Sequence, residues 1–156
     1  MKTTTSRHVL IANRRASFDY FLSDFLEVGL VLTGTEIKSL RKGGGSLKDS
    51  YVIVRSNELF LLNMHIAPYE QGNLFNHDPL RTRKLLAHHH EILKLHKAIQ
   101  EKRLTIVPTQ LYLKHGRAKL EIAIGKGKKN YDKRESIKNK ENQRKLDKAI
   151  KGDLRD

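Results

Sequence analysis

LTIVPTQLYLKHGRAKLEIAI, residues Leu104–Ile124, decides the fold class, because it reads as two β-strands about a tight turn. Leu120, Ile122 and Ile124 alternate with Lys119, Glu121 and Ala123, the period of a strand with one buried face. His115 and Gly116 form the turn, so Leu104–Lys114 and Arg117–Ile124 are expected to pair as a hairpin. Upstream, Leu26–Leu32, Tyr51–Arg55 and Glu58–Met64 are rich in Val, Ile and Leu, with the turn formers Ser56 and Asn57 between the last two. These are expected strands as well.

Two segments carry helical spacing. Phe18, Phe21, Leu22 and Phe25 follow the i, i+3, i+4, i+7 rule, which predicts a short helix over Arg14–Asp24 with its aromatic face in the core. Asp78 followed by Pro79 is a helix-start signal, and Leu85, His89, Ile92, His96 and Ile99 then share one face as far as Lys102. Roughly six strands with a long helix before the last two are too strand-rich for a bundle and lack the alternating units of a parallel sheet. The expected fold is mainly β with about three helices: a small six-stranded closed barrel of the oligonucleotide-binding (OB) type. Gly43–Gly45 reads as a flexible loop, and the chain has no internal repeat.

Composition limits what such a barrel does. The 156 residues, 38% of them hydrophobic, can bury one core but not two. Lysine and arginine number 31 against 17 acidic residues, a formal charge of +14 that calls for a polyanionic partner. The longest apolar runs fall far short of the roughly 20 residues of a spanning helix, and MKTTTSRHV lacks a signal-peptide apolar region. A cytoplasmic monomer that binds nucleic acid rather than membrane is expected. The absence of cysteine removes disulfides, thiolate zinc sites and cysteine nucleophiles together.

The chain divides near Gly125. Both parts are basic, but after Ile124 the sizeable apolar side chains are only Tyr131, Ile137, Leu146, Ile150 and Leu154, too few to offset chain entropy. Residues 1–125 are therefore expected to form the barrel domain, and residues 126–156 a basic tail that is disordered when free. Glu141 with Lys145 and Asp147 with Lys151 are favourable i, i+4 pairs, so a phosphate surface could complete a helix in the tail.

Reactive chemistry has little support. His88–His90 with Glu91 suggest a metal site, but consecutive helical residues point about 100° apart and cannot converge on one ion. The better reading is one half-buried histidine and two solvated or RNA-facing ones. GKGKK, Gly125–Lys129, fails the nucleotide-binding loop on spacing and on its missing Ser or Thr, and no G-x-S-x-G elbow occurs. No catalytic residue, metal or cofactor is assigned. Arg81, Arg83 and Lys84, at the expected start of the long helix, place three cations in one turn, which the helix dipole disfavours unless an anion compensates. A binding role is read for them over a merely solvated face, and Arg14, Arg15, Lys38 and Arg41 pose the same choice. Rings are only 6% of residues, and with the phenylalanines placed in the core few stacking platforms remain. Recognition of a folded RNA by phosphates and shape is expected, with Tyr131 free to stack on a base.

Four segments together resemble the SmpB family: GLVLTGTEIKSLR (Gly29–Arg41), DSYV (Asp49–Val52), NHDPLRTRKLL (Asn76–Leu86) and GKGKKNYDKRESIK (Gly125–Lys138). The resemblance implies an RNA-binding protein of trans-translation, with no enzymatic activity. Its barrel binds the transfer-RNA-like domain of transfer-messenger RNA (tmRNA). Its partners are tmRNA, elongation factor Tu with alanyl-tmRNA, and the stalled ribosome, where the tail enters the empty messenger channel at the decoding centre of 16S rRNA. By the matching motifs, Asn13, Glu27, Glu36 and Leu86 join Arg14, Arg15, Lys38, Arg41, Arg81, Arg83 and Lys84 in the RNA-binding set. The implied ribosome-sensing segment comprises Lys126, Lys128, Lys129, Tyr131, Asp132, Lys133, Arg134 and Lys138. A ribosome-associated structural or assembly protein that binds ribosomal RNA shares the barrel and the basic tail. An RNA-processing enzyme rests only on generic histidines and acids, such as His89.

Overall fold

The hairpin of residues 105–127 anchors the structure, a computed structural model that describes residues 7–70, 76–102 and 104–153. Strands β8 (Thr105–Lys114) and β9 (Arg117–Gly127) pair antiparallel from Lys114↔Arg117 to Thr105↔Gly125. His115 and Gly116 turn at φ 53° and 74°, the double positive φ that matches the twist of a two-residue hairpin. Leu120 and Ile122 are wholly buried and Ile124 nearly so, as their alternation predicts.

The preceding elements are β1 (His8–Ala12), α1 (Arg14–Asp19), β2 (Tyr20–Leu30), α2 (Gly34–Arg41), β3 (Gly45–Ser46), β4 (Tyr51–Arg55), β5 (Glu58–Leu62), β6 (His65–Ile66), β7 (Arg83–Leu86) and α3 (His89–Lys102), and α4 (Asn130–Asp153) follows β9. The large sheet runs β1-β8-β4-β5-β7-β2-β9, with β9 paired to β8 as well, while β3 and β6 form a separate ribbon. Val28, Val52, Leu59, Leu61, Leu85, Ile106, Leu111, Leu120 and Ile122 point inward from these strands, and Ile92 and Leu95 of α3 join the same core. The protein is thus mainly β-sheet with four helices among its described residues.

Several expectations need correction. The helix predicted over Arg14–Asp24 stops at Asp19, and the chain continues as an eleven-residue strand. The ladder from Tyr20 to Gly29 along β9 outweighs the helical spacing, and tyrosine and phenylalanine suit a pleated strand. A bulge interrupts the ladder between Ser23 and Leu26, with Asp24 at φ 52°, and Phe21 and Phe25 are 50% and 57% exposed rather than core.

The long helix does not start at Asp78–Pro79. There the Asp78 side chain accepts from the Leu80 N–H in a local turn, Arg83–Leu86 forms a strand between β5 and β2, and α3 begins only at His89. Leu85 is therefore an inward strand residue, and Arg81, Arg83 and Lys84 do not share a helical turn. His88, His89 and His90 are all exposed, so no half-buried member occurs, and the rings of His88 and His90 stack with centroids 5.7 Å apart.

The described residues form nine strands, more than the roughly six expected, because β1, β3, β6 and β7 are short or sit in stretches that read as loop or helix. The glycines after α2 are ordered packing. Gly43 turns the chain at φ 82°, and a Cβ on Gly45 would fall 2.4 Å from Leu40 and 2.6 Å from Ile11.

The ladder with β2 runs on to Tyr20↔Gly127, and α4 extends for 24 residues, about 36 Å. Leu154 and the tail's last two residues lie outside the described residues, as does the N-terminal MKTTTS.

Candidate nucleic-acid interface

Most of the predicted site residues fall into three clusters. The first is built on α2, whose Thr33 and Glu36 form a capping box: the Thr33 N–H donates to Glu36 Oε1 at 2.9 Å, and the Glu36 N–H to Thr33 Oγ1 at 3.4 Å. Glu36 is fully buried, and so is Arg83, which donates through Nε to the Glu36 carboxylate and through Nη1 to the Met64 carbonyl at 2.7 Å. Arg81 Nη2 donates to Glu36 Oε1 at 2.7 Å and to the Val31 carbonyl at 3.2 Å. Burial alone would raise the Glu36 carboxyl, but donation from Arg81, the Thr33 N–H and Arg83 outweighs it and holds the group below its ordinary value. Glu36 and Arg83 therefore offer no surface to a ligand; of this trio only Arg81, about one-third exposed, faces solvent. His77 braces the same region, its ring bridging Thr35 Oγ1 and the Ile66 carbonyl at 2.9 Å each.

The second cluster joins Glu27 to Leu86. Both line a groove of about 380 Å³ with Gly29, Ala87, His88, Glu91 and Lys119, and Leu86 is 55% exposed there. Gly29 lets Leu86 lie close, since a Cβ there would sit a tight 3.2 Å from the Leu86 Cβ. The Glu27 carboxylate accepts from the Tyr112 hydroxyl and from Lys114 Nζ at 3.4 Å, with Arg7 3.8 Å away. The Tyr112 hydroxyl above all, then Lys114 and Arg7, hold Glu27 below the usual carboxylate range against the opposing effect of burial.

The third cluster brings α1 to the root of the tail. Asn13 Nδ2 donates to the Pro108 carbonyl at 2.9 Å, so that side chain fixes the β1–α1 corner. Asp19 receives Arg15 Nε at 3.3 Å and Lys133 Nζ at 3.5 Å, while its carbonyl accepts the Lys128 N–H at 2.9 Å. Lys128 Nζ donates to the Ser17 carbonyl at 3.0 Å and lies 4.9 Å from the centre of the Phe21 ring. Asp132 accepts the Lys129 N–H at 3.2 Å at the start of α4. Arg14, Lys126, Lys129, Arg134 and Lys138 are exposed, and Tyr131 is 64% exposed.

The remaining residues stand apart. Lys38 and Arg41 are exposed on α2; Lys38 and Lys42 approach the Tyr69 ring at 5.8 and 5.0 Å. Lys84 pairs with Glu58 at 3.1 Å on another face. Sequence reasoning missed Arg7, Tyr112, Lys114 and Lys119, although the alternation of β9 already turns Lys119 outward. Their assembly depends on pairing residues 85 and 87 positions apart.

The chain is similar to known proteins over most of its length. A family model described as "SmpB protein" matches residues 10–152. The SsrA-binding protein of Geobacillus thermodenitrificans is 55% identical over 143 residues, 92% of each chain, and that of Bacillus subtilis 53% over 146 residues, 94% of each. The SsrA-binding protein of Staphylococcus epidermidis is 52% identical over 150 residues, 96% of each. A solved structure, "tmRNA-SmpB: a journey to the center of the bacterial ribosome", is 41% identical with a TM-score of 0.65, and the match covers 81% of this chain and 93% of that one. With a family model spanning nearly its whole length and relatives more than half identical along it, the chain belongs to the SmpB family.

Proposed function

We propose that this protein binds tmRNA in trans-translation, escorting its transfer-RNA-like domain to ribosomes stalled without a stop codon. Membership of a family whose relatives are named SsrA-binding proteins carries the reading, and the similar solved chain is described with tmRNA and the ribosome. Elongation factor Tu with alanyl-tmRNA is the delivery partner, and the cytoplasm is the site of action. The protein acts by binding, not as an enzyme.

The body is read as an OB-like closed barrel. Hydrogen-bonded pairs link β8 to β4, β5, β7, β2, β9 and back to β8, a ring of six strands that supports this reading. Of the predicted RNA set, Asn13, Arg14, Arg15, Glu27, Lys38, Arg41, Arg81, Lys84 and Leu86 keep some accessible surface, whereas Glu36 and Arg83 serve it by holding Arg81 and α2 in place. The tail, with Lys126, Lys128, Lys129, Tyr131, Asp132, Lys133, Arg134 and Lys138, takes the messenger channel near the decoding centre. A cationic helix with no core of its own gains most where a phosphate-lined channel is empty. Ending the chain after Gly127 tests this division. The shortened protein is expected to bind the transfer-RNA-like domain within about threefold of the full chain, yet to support no tagging in a reconstituted stalled-translation assay. Loss of RNA binding with tagging retained would refute the reading.

A further inference from the structure

The outer face of the β8–β9 hairpin carries chemistry that the predicted set leaves out. Tyr112 and Lys114 on β8 and Arg117, Lys119 and Glu121 on β9 alternate onto one face, and β2 continues it with Glu27 directly opposite Glu121. Glu27, Lys114, His115, Arg117 and Lys119 enclose an open groove of about 630 Å³.

Two carboxylates at directly opposed positions repel, so the pairing of Glu27 with Glu121 needs compensation. Arg7 supplies part of it. Its guanidinium sits 4.5 Å from the centre of the Tyr112 ring, with Nη1 3.3 Å from Glu121 and Nη2 3.8 Å from Glu27. Lys114 Nζ lies 3.4 and 3.5 Å from the two oxygens of Glu27, and the Tyr112 hydroxyl donates to Oε2. Both oxygens are thus engaged within the protein, and the Glu27 side chain is 28% exposed. Counting Arg7, Lys114, Arg117 and Lys119 against Glu27 and Glu121, the face stays cationic.

We propose that this hairpin groove seats a stretch of RNA phosphodiester backbone on Lys114, Arg117 and Lys119, and that Glu27 is a positioning residue for Lys114 rather than an RNA contact. The inference rests on the tmRNA-binding reading and resolves what a carboxylate is doing at a phosphate-binding face. A lysine is a flexible point charge, and fixing its stem before the ligand arrives lowers the entropy lost on binding. Tyr112, buried and packed under Arg7, holds Glu27 in turn.

The test is a double-mutant cycle on the full chain, with affinity for the transfer-RNA-like domain of tmRNA measured across a salt series. Glu27→Gln and Lys114→Met are each expected to weaken binding by about tenfold, and the double variant by no more than Lys114→Met alone. Arg117→Met and Lys119→Met should each weaken binding and lower the slope of log affinity against log salt by about one. Tyr112→Phe, which leaves every charge in the groove, should weaken binding by about threefold with the slope unchanged. Losses that multiply in the double variant would overturn the positioning role and make Glu27 an independent contact. Unchanged affinity in Arg117→Met and Lys119→Met would overturn the groove. A wild-type chain that does not bind this RNA would instead overturn the functional reading, and this inference with it.

Discussion

Arg83 and Glu36 sit side by side with no exposed surface, 47 residues apart in the chain. Removing one partner of such a pair leaves an uncompensated buried charge, so Glu36→Gln and Arg83→Met are each expected to cost about 3–5 kcal/mol in urea denaturation at pH 7. The acid dependence has a definite sign. Glu36 is held below its ordinary value of 4.5 when folded, so its contribution is complete above that value and is lost as the pH falls through the lowered one. Denaturation curves of wild type and Glu36→Gln should therefore converge as the pH drops below about 4.5. A gap that persisted at pH 2 would mean the side chain acts through packing instead. In the sequence Arg83 is indistinguishable from a surface cation between Arg81 and Lys84. Only the fold supplies the acid that takes it inside, and for the same reason Tyr112 and Lys114, the partners of Glu27, could not be read from the sequence.

Elements were legible where local and long-range preferences agree. The hairpin of β8 and β9 has period-two alternation, a compatible turn and a partner two residues away, so nothing distant could override it. Residues 20–25 were not legible because phenylalanine at helical spacing also suits a strand, and the decision rests with β9, a hundred residues on. Segment 83–86 was lost in the same way: its four residues fill the gap between β5 and β2, a vacancy that no local pattern announces. The tail's attachment belongs to this scale too. Asp19 gathers Arg15, Lys133 and the Lys128 N–H at the junction of α1 and α4. These pairs are partly exposed, so Asp19→Asn should change global stability by no more than about 1 kcal/mol. Amide hydrogen exchange at residues 131–136 should nevertheless quicken severalfold, which mass spectrometry of the intact chain can read. Unchanged exchange there would assign the root of α4 to its own helix propensity.

Charge is the property that spans the whole molecule. A surplus of +14 on 156 residues makes association with RNA strongly dependent on salt, since each phosphate contact releases counterions. For the full chain on the transfer-RNA-like domain, at least four such contacts are expected, giving a log–log salt slope steeper than about −3 in filter binding or fluorescence titration. A slope near zero would point to binding by shape and hydrogen bonds alone. The sheet topology bears on how the molecule is made. Strand β9 must pair with β2 on one side and β8 on the other, and it is the last strand synthesised. Until residue 127 has emerged, β2 lacks its longest neighbour and leaves an open edge that invites another chain. A nascent chain broken off before that point would keep that unpaired edge, with Val28 and Leu30 uncovered, and would be prone to aggregate or be degraded rather than survive as a half-working body.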